Sequence, residues 1–412
     1  MVKINIVGYN IFAQGGTTRS NLNLMTEFSK HHYSTTYYNY VDFDILDLRR
    51  LHKEEQVTKN VQIKKVAELY QLTEKKAVEK EYFFITREDL FPLAAVIRKY
   101  NLKALIIGEV HTPLQLLKKD FANIKLDYFT CLRVATPSIK KTFAQKYHFD
   151  RIYVQTVSLA HLKLTSFKNI NRNKTSNLVV YARFDEKAKD ISYAISLVTY
   201  LIKKLKRNDI KLYIKGYGPD EQCYRQMIRQ AHLGSSIFIN KGLPDDYIAL
   251  STAHVETLGY TIAESVAQGH RVIAYVGDDQ VVYENFKKFP LVSWLSKKDI
   301  STDAAKIIAA VTENIQEEEL MTSIKLLNEM KSAYTEKMLQ KTAIFSGEGM
   351  VSVGGLENVE KKTKERLEKT LGVAYAPWYL KVYRHLRRLP ILNNLLQASK
   401  FSEWLRTISK RH

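Results

Sequence analysis

Only two cysteines, Cys131 and Cys223, occur in 412 residues, and they lie far apart. This excludes a disulfide framework or a clustered cysteine metal knuckle and fits a reducing compartment. No run of about 18 apolar residues occurs, so no membrane-spanning helix is expected. The start, Met1-Val2-Lys3-Ile4-Asn5-Ile6-Val7-Gly8, lacks the long apolar core and small-residue cleavage site of an export signal, so a cytoplasmic protein is expected. Acidic residues are the scarcer charge: 43 Asp plus Glu stand against 63 Lys plus Arg, a net charge of +20. Such a surplus calls for an anionic partner, whether nucleic acid, an acidic lipid surface or a polyanionic substrate. With 45% hydrophobic and 26% charged residues the chain lies outside the disordered class, and its length suits two or three domains with sizeable cores.

The order of segments reads as α/β. A β-rich run at residues 4–7 is followed by Gly15-Gly16 and a helix-period segment around Leu22, Leu24, Met25 and Phe28. The apolar run at 102–107 ends in Gly108-Glu109-Val110-His111, with Pro113 opening a helix, and residues 126–131 and 151–156 are further strand candidates. The Asn/Lys/Ser-rich segment 168–177 reads as a linker, after which the pattern restarts: strands at 178–182, 210–214, 237–239 and 272–276, and helices at 191–205 and 260–268, the latter closed by Gly269. Two doubly wound domains, 1–170 and 177–345, would thus face each other across a cleft, where small ligands usually bind.

Residues 361–412 carry half of the net positive charge, 13 Lys plus Arg against 3 Glu, interleaved with aromatic and aliphatic residues such as Trp378, Tyr383, Leu386 and Trp404. Two destinations suit this basic helical tail, taken to span 356–412: the protein's own first domain, or an anionic bilayer.

The most informative segment runs from His254 to Ala274. Glu256 precedes the loop glycine Gly259, and Glu264 falls within the helix that follows, so one carboxylate sits near the helix N-terminus and the other one to two turns along. An ionised carboxylate accepts two O–H donors at once, a fitting partner for the vicinal hydroxyls of sugars and riboses. Spacing, Gly259 and the terminal Gly269 before Val272-Ile273-Ala274 together resemble the retaining GT-B glycosyltransferases of the group 1, family 4-like type, whose signature is Glu, seven residues, Glu.

The resemblance implies two Rossmann-like domains, with Glu256 on the donor sugar's hydroxyls and Glu264 on the nucleotide ribose. In Tyr181-Ala182-Arg183-Phe184-Asp185-Glu186-Lys187, it implies that Arg183 and Lys187 bind the donor diphosphate, with Lys189 as a substitute for Lys187 because the family more often has one further residue between its two cations. Gly216, in Lys215-Gly216-Tyr217-Gly218-Pro219, matches the family's strand-loop. Gly16, in Gln14-Gly15-Gly16-Thr17-Thr18-Arg19, matches its glycine-rich loop, where missing side chains let backbone N–H groups approach a phosphate or sugar. His111 corresponds to the histidine that borders the donor sugar. The loop Val276-Gly277-Asp278-Asp279-Gln280 departs from the one the family often places near the donor phosphates.

The expected activity is retaining, metal-independent transfer of a hexose or N-acetylhexosamine from a nucleotide-diphosphate sugar, UDP-sugar foremost, without a further cofactor. The expected acceptor is a hydroxyl on a cell-envelope glycan, lipid-linked or teichoic-acid-like. Asp245-Asp246 and Asp278-Asp279 lack the further ligands a metal site requires. The basic charge favours an anionic acceptor and the inner membrane face over nucleic acid, for which no recognisable module is present. The alternative is a non-catalytic GT-B subunit that binds the acceptor or a sister enzyme.

Overall fold

The opening β-rich run forms β1 (Lys3–Gly8), buried along nearly its whole length between two parallel neighbours, as a central strand of an α/β sheet must be. The computed structural model describes residues 2–13, 15–71, 81–111, 117, 121, 124–165, 170, 174–346, 356 and 358–372. Gln14, Pro113 and its expected helix, residues 168–169 and 171–173 of the linker, and residues 373–412 of the basic tail lie outside the described residues.

The first domain continues through α1 (Gly16–Lys30), β2 (Ser34–Asn39), α2 (Ile45–Glu54), β3 (Gln62–Lys65), β4 (Glu81–Ile85), α3 (Leu93–Tyr100), β5 (Leu105–Glu109), β6 (Cys131–Val134), α4 (Pro137–Tyr147) and β7 (Ile152–Val154). Its seven strands are all parallel, in the order β3-β2-β1-β4-β5-β6-β7. The strand expected at 126–131 begins only at Cys131. Asp127 stays at the surface, so Leu126–Tyr128 form a single 3₁₀ turn, and pairing with β5 starts where Cys131 meets Ile107.

The second domain comprises β8 (Asn177–Tyr181), α5 (Glu186–Lys189), α6 (Ile191–Lys203), β9 (Lys211–Lys215), α7 (Glu221–Gln230), β10 (Ile237–Ile239), β11 (Ile248–Ser251), α8 (Tyr260–Ala267), β12 (Val272–Tyr275), α9 (Val281–Phe286), β13 (Val292–Leu295), α10 (Ile300–Thr312) and α11 (Glu317–Lys331). Its six parallel strands run β10-β9-β8-β11-β12-β13. Each sheet is therefore doubly wound. One face of the second packs on α6, α7 and α10 around Leu197, Leu201, Tyr224 and Ile307. The other packs on α8, α9 and α11 together with Val157, Leu159, Leu162 and Ile170 of the connecting segment, which is thus fastened to the second domain before its first strand.

The chain then recrosses. α12 (Tyr334–Ile344) lays Tyr334 and Met338 on the first sheet beside Ile4 and Phe28, so this helix belongs to the first domain although residues up to 345 were expected in the second. α13 (Val359–Leu371), the described start of the basic tail, also packs on the first domain. Leu367 enters its core, Lys99 pairs with Glu360 at 2.7 Å, and the Tyr40 hydroxyl donates to the Gly372 carbonyl at 2.8 Å.

Candidate active site

Strand order reverses between β8 and β11, and parallel sheets open a crevice beyond the strand ends at such a point. A cavity of about 390 Å³ opens at this switch, between Tyr181 and Ala182 at the end of β8 and Thr252 and Ala253 after β11, and extends along the sheet face to Tyr247 and His270 just before β11 and β12. Glu256, Glu264 and Lys189 also line it, so three of the charged groups the sequence singles out converge on one space, and every lining residue belongs to the second domain.

Lys189 closes α5, a single helical turn after β8. Residues two apart on one turn point to different sides: Lys187 is exposed, whereas Lys189 turns inward and forms an ion pair with Glu256. The turn is pinned from β11, since the Thr252 hydroxyl lies 3.1 Å from the Lys189 carbonyl and 2.8 Å from that of Asp190, and His254 N–H donates to the Ala188 carbonyl at 2.9 Å. Asp190, in the left-handed region at φ 45°, caps α6 and receives Lys297 Nζ at 2.5 Å. His254, two residues before Glu256, stands between Asp190 (3.3 Å) and Asp278 (3.2 Å), tying the Glu256 loop to the loop after β12. Burial raises the carboxyl of neighbouring Asp279 above its ordinary value.

Arg183 lies two residues beyond β8 with its side chain 61% exposed and paired with Asp185, outside the cavity lining. Gly216 stands directly behind this segment. A Cβ there would overlap the Ala182 carbonyl, so the glycine lets the β9 loop pack under the Arg183 loop. Gly259 begins α8 at φ +89°, and Glu264 follows on the second turn, where its Oε1 accepts from His161 Nε2 at 3.0 Å.

The first domain approaches the second at the start of α8. Gly16 opens α1, and a Cβ on it would come within 3.9 Å of the Tyr260 ring, which places the glycine loop opposite the start of α8. His111 follows β5 and does not line the cavity. Its Nε2 lies 2.8 Å from Glu109 Oε2, and its backbone N–H donates to Glu88. Glu109 and Arg133 are buried side by side at 2.8 Å, and Arg133 reaches the Tyr334 hydroxyl on α12. Burial alone would raise the Glu109 carboxyl, but the Arg133 guanidinium and His111 outweigh it and hold the group below its ordinary value.

The structure thus gathers Glu256, Glu264 and Lys189 at the cavity, places Gly259 at the start of the helix that carries Glu264 and Gly16 beside Tyr260, and leaves Arg183 and His111 outside the lining. Lys187 is exposed, and of the two lysines it is Lys189 that lines the cavity. Asn23, His161 and Tyr334 escape a reading by motif, because their partners lie more than a hundred residues away in sequence. The one legible signal was charge inside strand-like apolar runs, at Glu109 and Arg133. Among the described residues no group of three His, Cys, Asp or Glu side chains is arranged to hold a metal ion.

Residues 163–322 match the family model described as "Glycosyl transferases group 1". The matched stretch takes in the end of the connecting segment and most of the second domain. The arrangement of this domain with its partner recurs in solved structures. TarM of S. aureus, solved as a mutant in complex with Fondaparinux, alpha-GlcNAc-glycerol and UDP, is similar over 84% of this chain and 100% of its own, at 13% identity and a TM-score of 0.65. The pneumococcal O-GlcNAc transferase GtfA, solved with UDP and GlcNAc, is similar over 89% of this chain and 99% of its own, at 12% identity and a TM-score of 0.54. A glycosyltransferase from Rickettsia africae ESF-5 is similar over 84% and 99%, at 16% identity and a TM-score of 0.57. These likenesses establish the fold as GT-B. No curated protein matches the chain by sequence.

Proposed function

We propose that this chain is a retaining glycosyltransferase that moves a hexose or N-acetylhexosamine from a nucleotide-diphosphate sugar, UDP-sugar foremost, to a hydroxyl of a cell-envelope glycan, lipid-linked or teichoic-acid-like, without a metal ion. The observation that carries this reading is the convergence of Lys189, Glu256 and Glu264 on the cavity at the β8/β11 switch point. TarM and GtfA were both solved with UDP, which supports a uridine nucleotide.

In this reading the ribose lies against Glu264 and the sugar hydroxyls against Glu256. The diphosphate meets Lys189, with Arg183 on the loop whose preceding residues line the cavity. The bond from the sugar C1 to the β-phosphate oxygen breaks as a bond from the acceptor oxygen to C1 forms on the same face, and the acceptor proton passes to the departing phosphate. Negative charge grows on that phosphate, which is where fixed cations lower the barrier. The family resemblance would put His111 beside the sugar from the first domain, and domain closure would exclude water from the donor. The surplus of basic residues, concentrated after residue 360, suits an anionic acceptor and attachment at the inner face of a membrane. No helix among the described residues is long and apolar enough to cross one.

A thermal-shift and donor-hydrolysis screen against UDP-, GDP- and ADP-sugars tests the reading. One donor should stabilise the protein and be hydrolysed slowly, and both effects should vanish in Glu256→Ala and Arg183→Ala. Silence from every donor would point instead to a non-catalytic subunit.

A further inference from the structure

Glu264 is held by more than its own helix. Asn23, on α1 and 1% exposed, places its side-chain nitrogen 2.6 Å from the Ser158 carbonyl oxygen and 3.0 Å from His161 Nδ1. A carbonyl oxygen only accepts, so Ser158 fixes which way the Asn23 amide faces: its NH₂ group points at both partners. Two N–H donors cannot face one another. His161 Nδ1 therefore accepts from Asn23, the ring proton sits on Nε2, and Nε2–H donates to Glu264 Oε1 at 3.0 Å. Tyr260 closes the arrangement. Its ring meets the imidazole edge-on at 5.2 Å, and its hydroxyl, pushed up to about 12 by burial and thus still protonated at neutral pH, donates to the same Ser158 carbonyl at 3.2 Å.

We propose that His161 is a positioning residue for the nucleotide ribose: locked by Asn23 as the Nε2–H tautomer, it binds one oxygen of Glu264 and so aims the carboxylate at the vicinal hydroxyls. Among the described residues the other oxygen of Glu264 carries no hydrogen bond, and the residue lines the cavity. Asn23 belongs to the first domain, His161 to the connecting segment and Glu264 to the second domain. The grip on the ribose is therefore complete only while α1 is docked. This rests on the reading of the cavity as the donor nucleotide site.

The test uses the full chain and whichever of UDP, GDP and ADP binds tightest, together with its 2′- and 3′-deoxy counterparts, by calorimetry. Wild type should prefer the ribonucleotide by roughly tenfold or more, the scale of a hydrogen bond to a charged group. His161→Phe, which keeps a ring but loses the donor, should cut that preference to within about threefold, and Glu264→Gln should do the same, while His161→Gln, whose amide N–H again donates, should restore most of it. A second measurement needs no variant: the imidazole nitrogens of His161 in ¹⁵N-labelled wild type should show an unprotonated Nδ1 and a protonated Nε2. An undiminished ribose preference in His161→Phe alongside its loss in Glu264→Gln, or the opposite tautomer, would overturn the role of His161 and leave the nucleotide site standing. An undiminished preference in Glu264→Gln, or no nucleotide binding at all, would overturn the site and the inference together.

Discussion

Lys189 and Glu256 form an ion pair inside the cavity at the β8/β11 switch, joining α5 to the loop before α8. Each partner neutralises the other. A bound donor would separate their tasks, the ammonium turning to phosphate oxygens and the carboxylate to sugar hydroxyls.

Lys189→Ala should therefore lower kcat/KM for sugar transfer by about a hundredfold or more, the scale of losing one charge-stabilising group in a catalytic site, whereas Lys187→Ala should stay within about threefold of wild type. Steady-state kinetics of the two variants side by side checks this. Equal losses, or a larger loss in Lys187→Ala, would reverse the assignment.

How much of this was legible beforehand follows from distance along the chain. β1, β5, β8, β9, β10, β12 and α8 announce themselves as apolar runs or helical periods closed by glycine, because buried parallel strands need little else. β2, Ser-Thr-Thr-Tyr-Tyr-Asn, is buried yet polar in composition, and its role comes from pairing with β1 rather than from its own pattern. Glu256 and Glu264 were visible because their spacing is local. The choice of Lys189 over Lys187 depends on which side of one helical turn faces the cavity, and the Asn23-His161-Glu264 chain depends on docking between domains, so neither is written in spacing.

Tyr334 stands where the chain recrosses to the first domain. Its hydroxyl donates to the Thr156 carbonyl at 2.9 Å and receives Arg133, while Gln155 donates to its carbonyl at 3.0 Å. Both crossing segments thus meet at one buried side chain. Tyr334→Phe should cost about 1–3 kcal/mol by leaving Arg133 and Thr156 short of a partner, read as a lower urea midpoint with the slope unchanged.

Glu109 gives a pH signature. Its folded carboxyl lies below the ordinary 4.5, so its pairing with Arg133 stabilises the fold fully above that pH and is lost as pH falls through the lower folded value. Near neutral pH, Glu109→Gln should lose about 3 kcal/mol of stability, because it leaves a buried guanidinium without its charge partner. The gap between wild type and variant should narrow as pH drops below 4.5, where wild type alone loses this contribution. Urea unfolding of both proteins at pH 7 and at acid pH measures it, and a gap that stays constant would refute the ion pair's role.

Gly216→Ala should destabilise the second domain by about 1–3 kcal/mol, since the new Cβ meets the rigid Ala182 backbone. Gly234→Ala, where no heavy atom lies within 4 Å of the added carbon, should be close to neutral. Melting temperatures of the pair provide the comparison.

Calorimetric titration of UDP, GDP and ADP into wild type, Lys189→Ala and Glu264→Ala tests most directly whether the second domain's cavity is a nucleotide site. One nucleotide should bind with a single site per chain, and its affinity should fall at least tenfold in each variant. No binding by any nucleotide, or binding that both variants leave unchanged, would contradict the account.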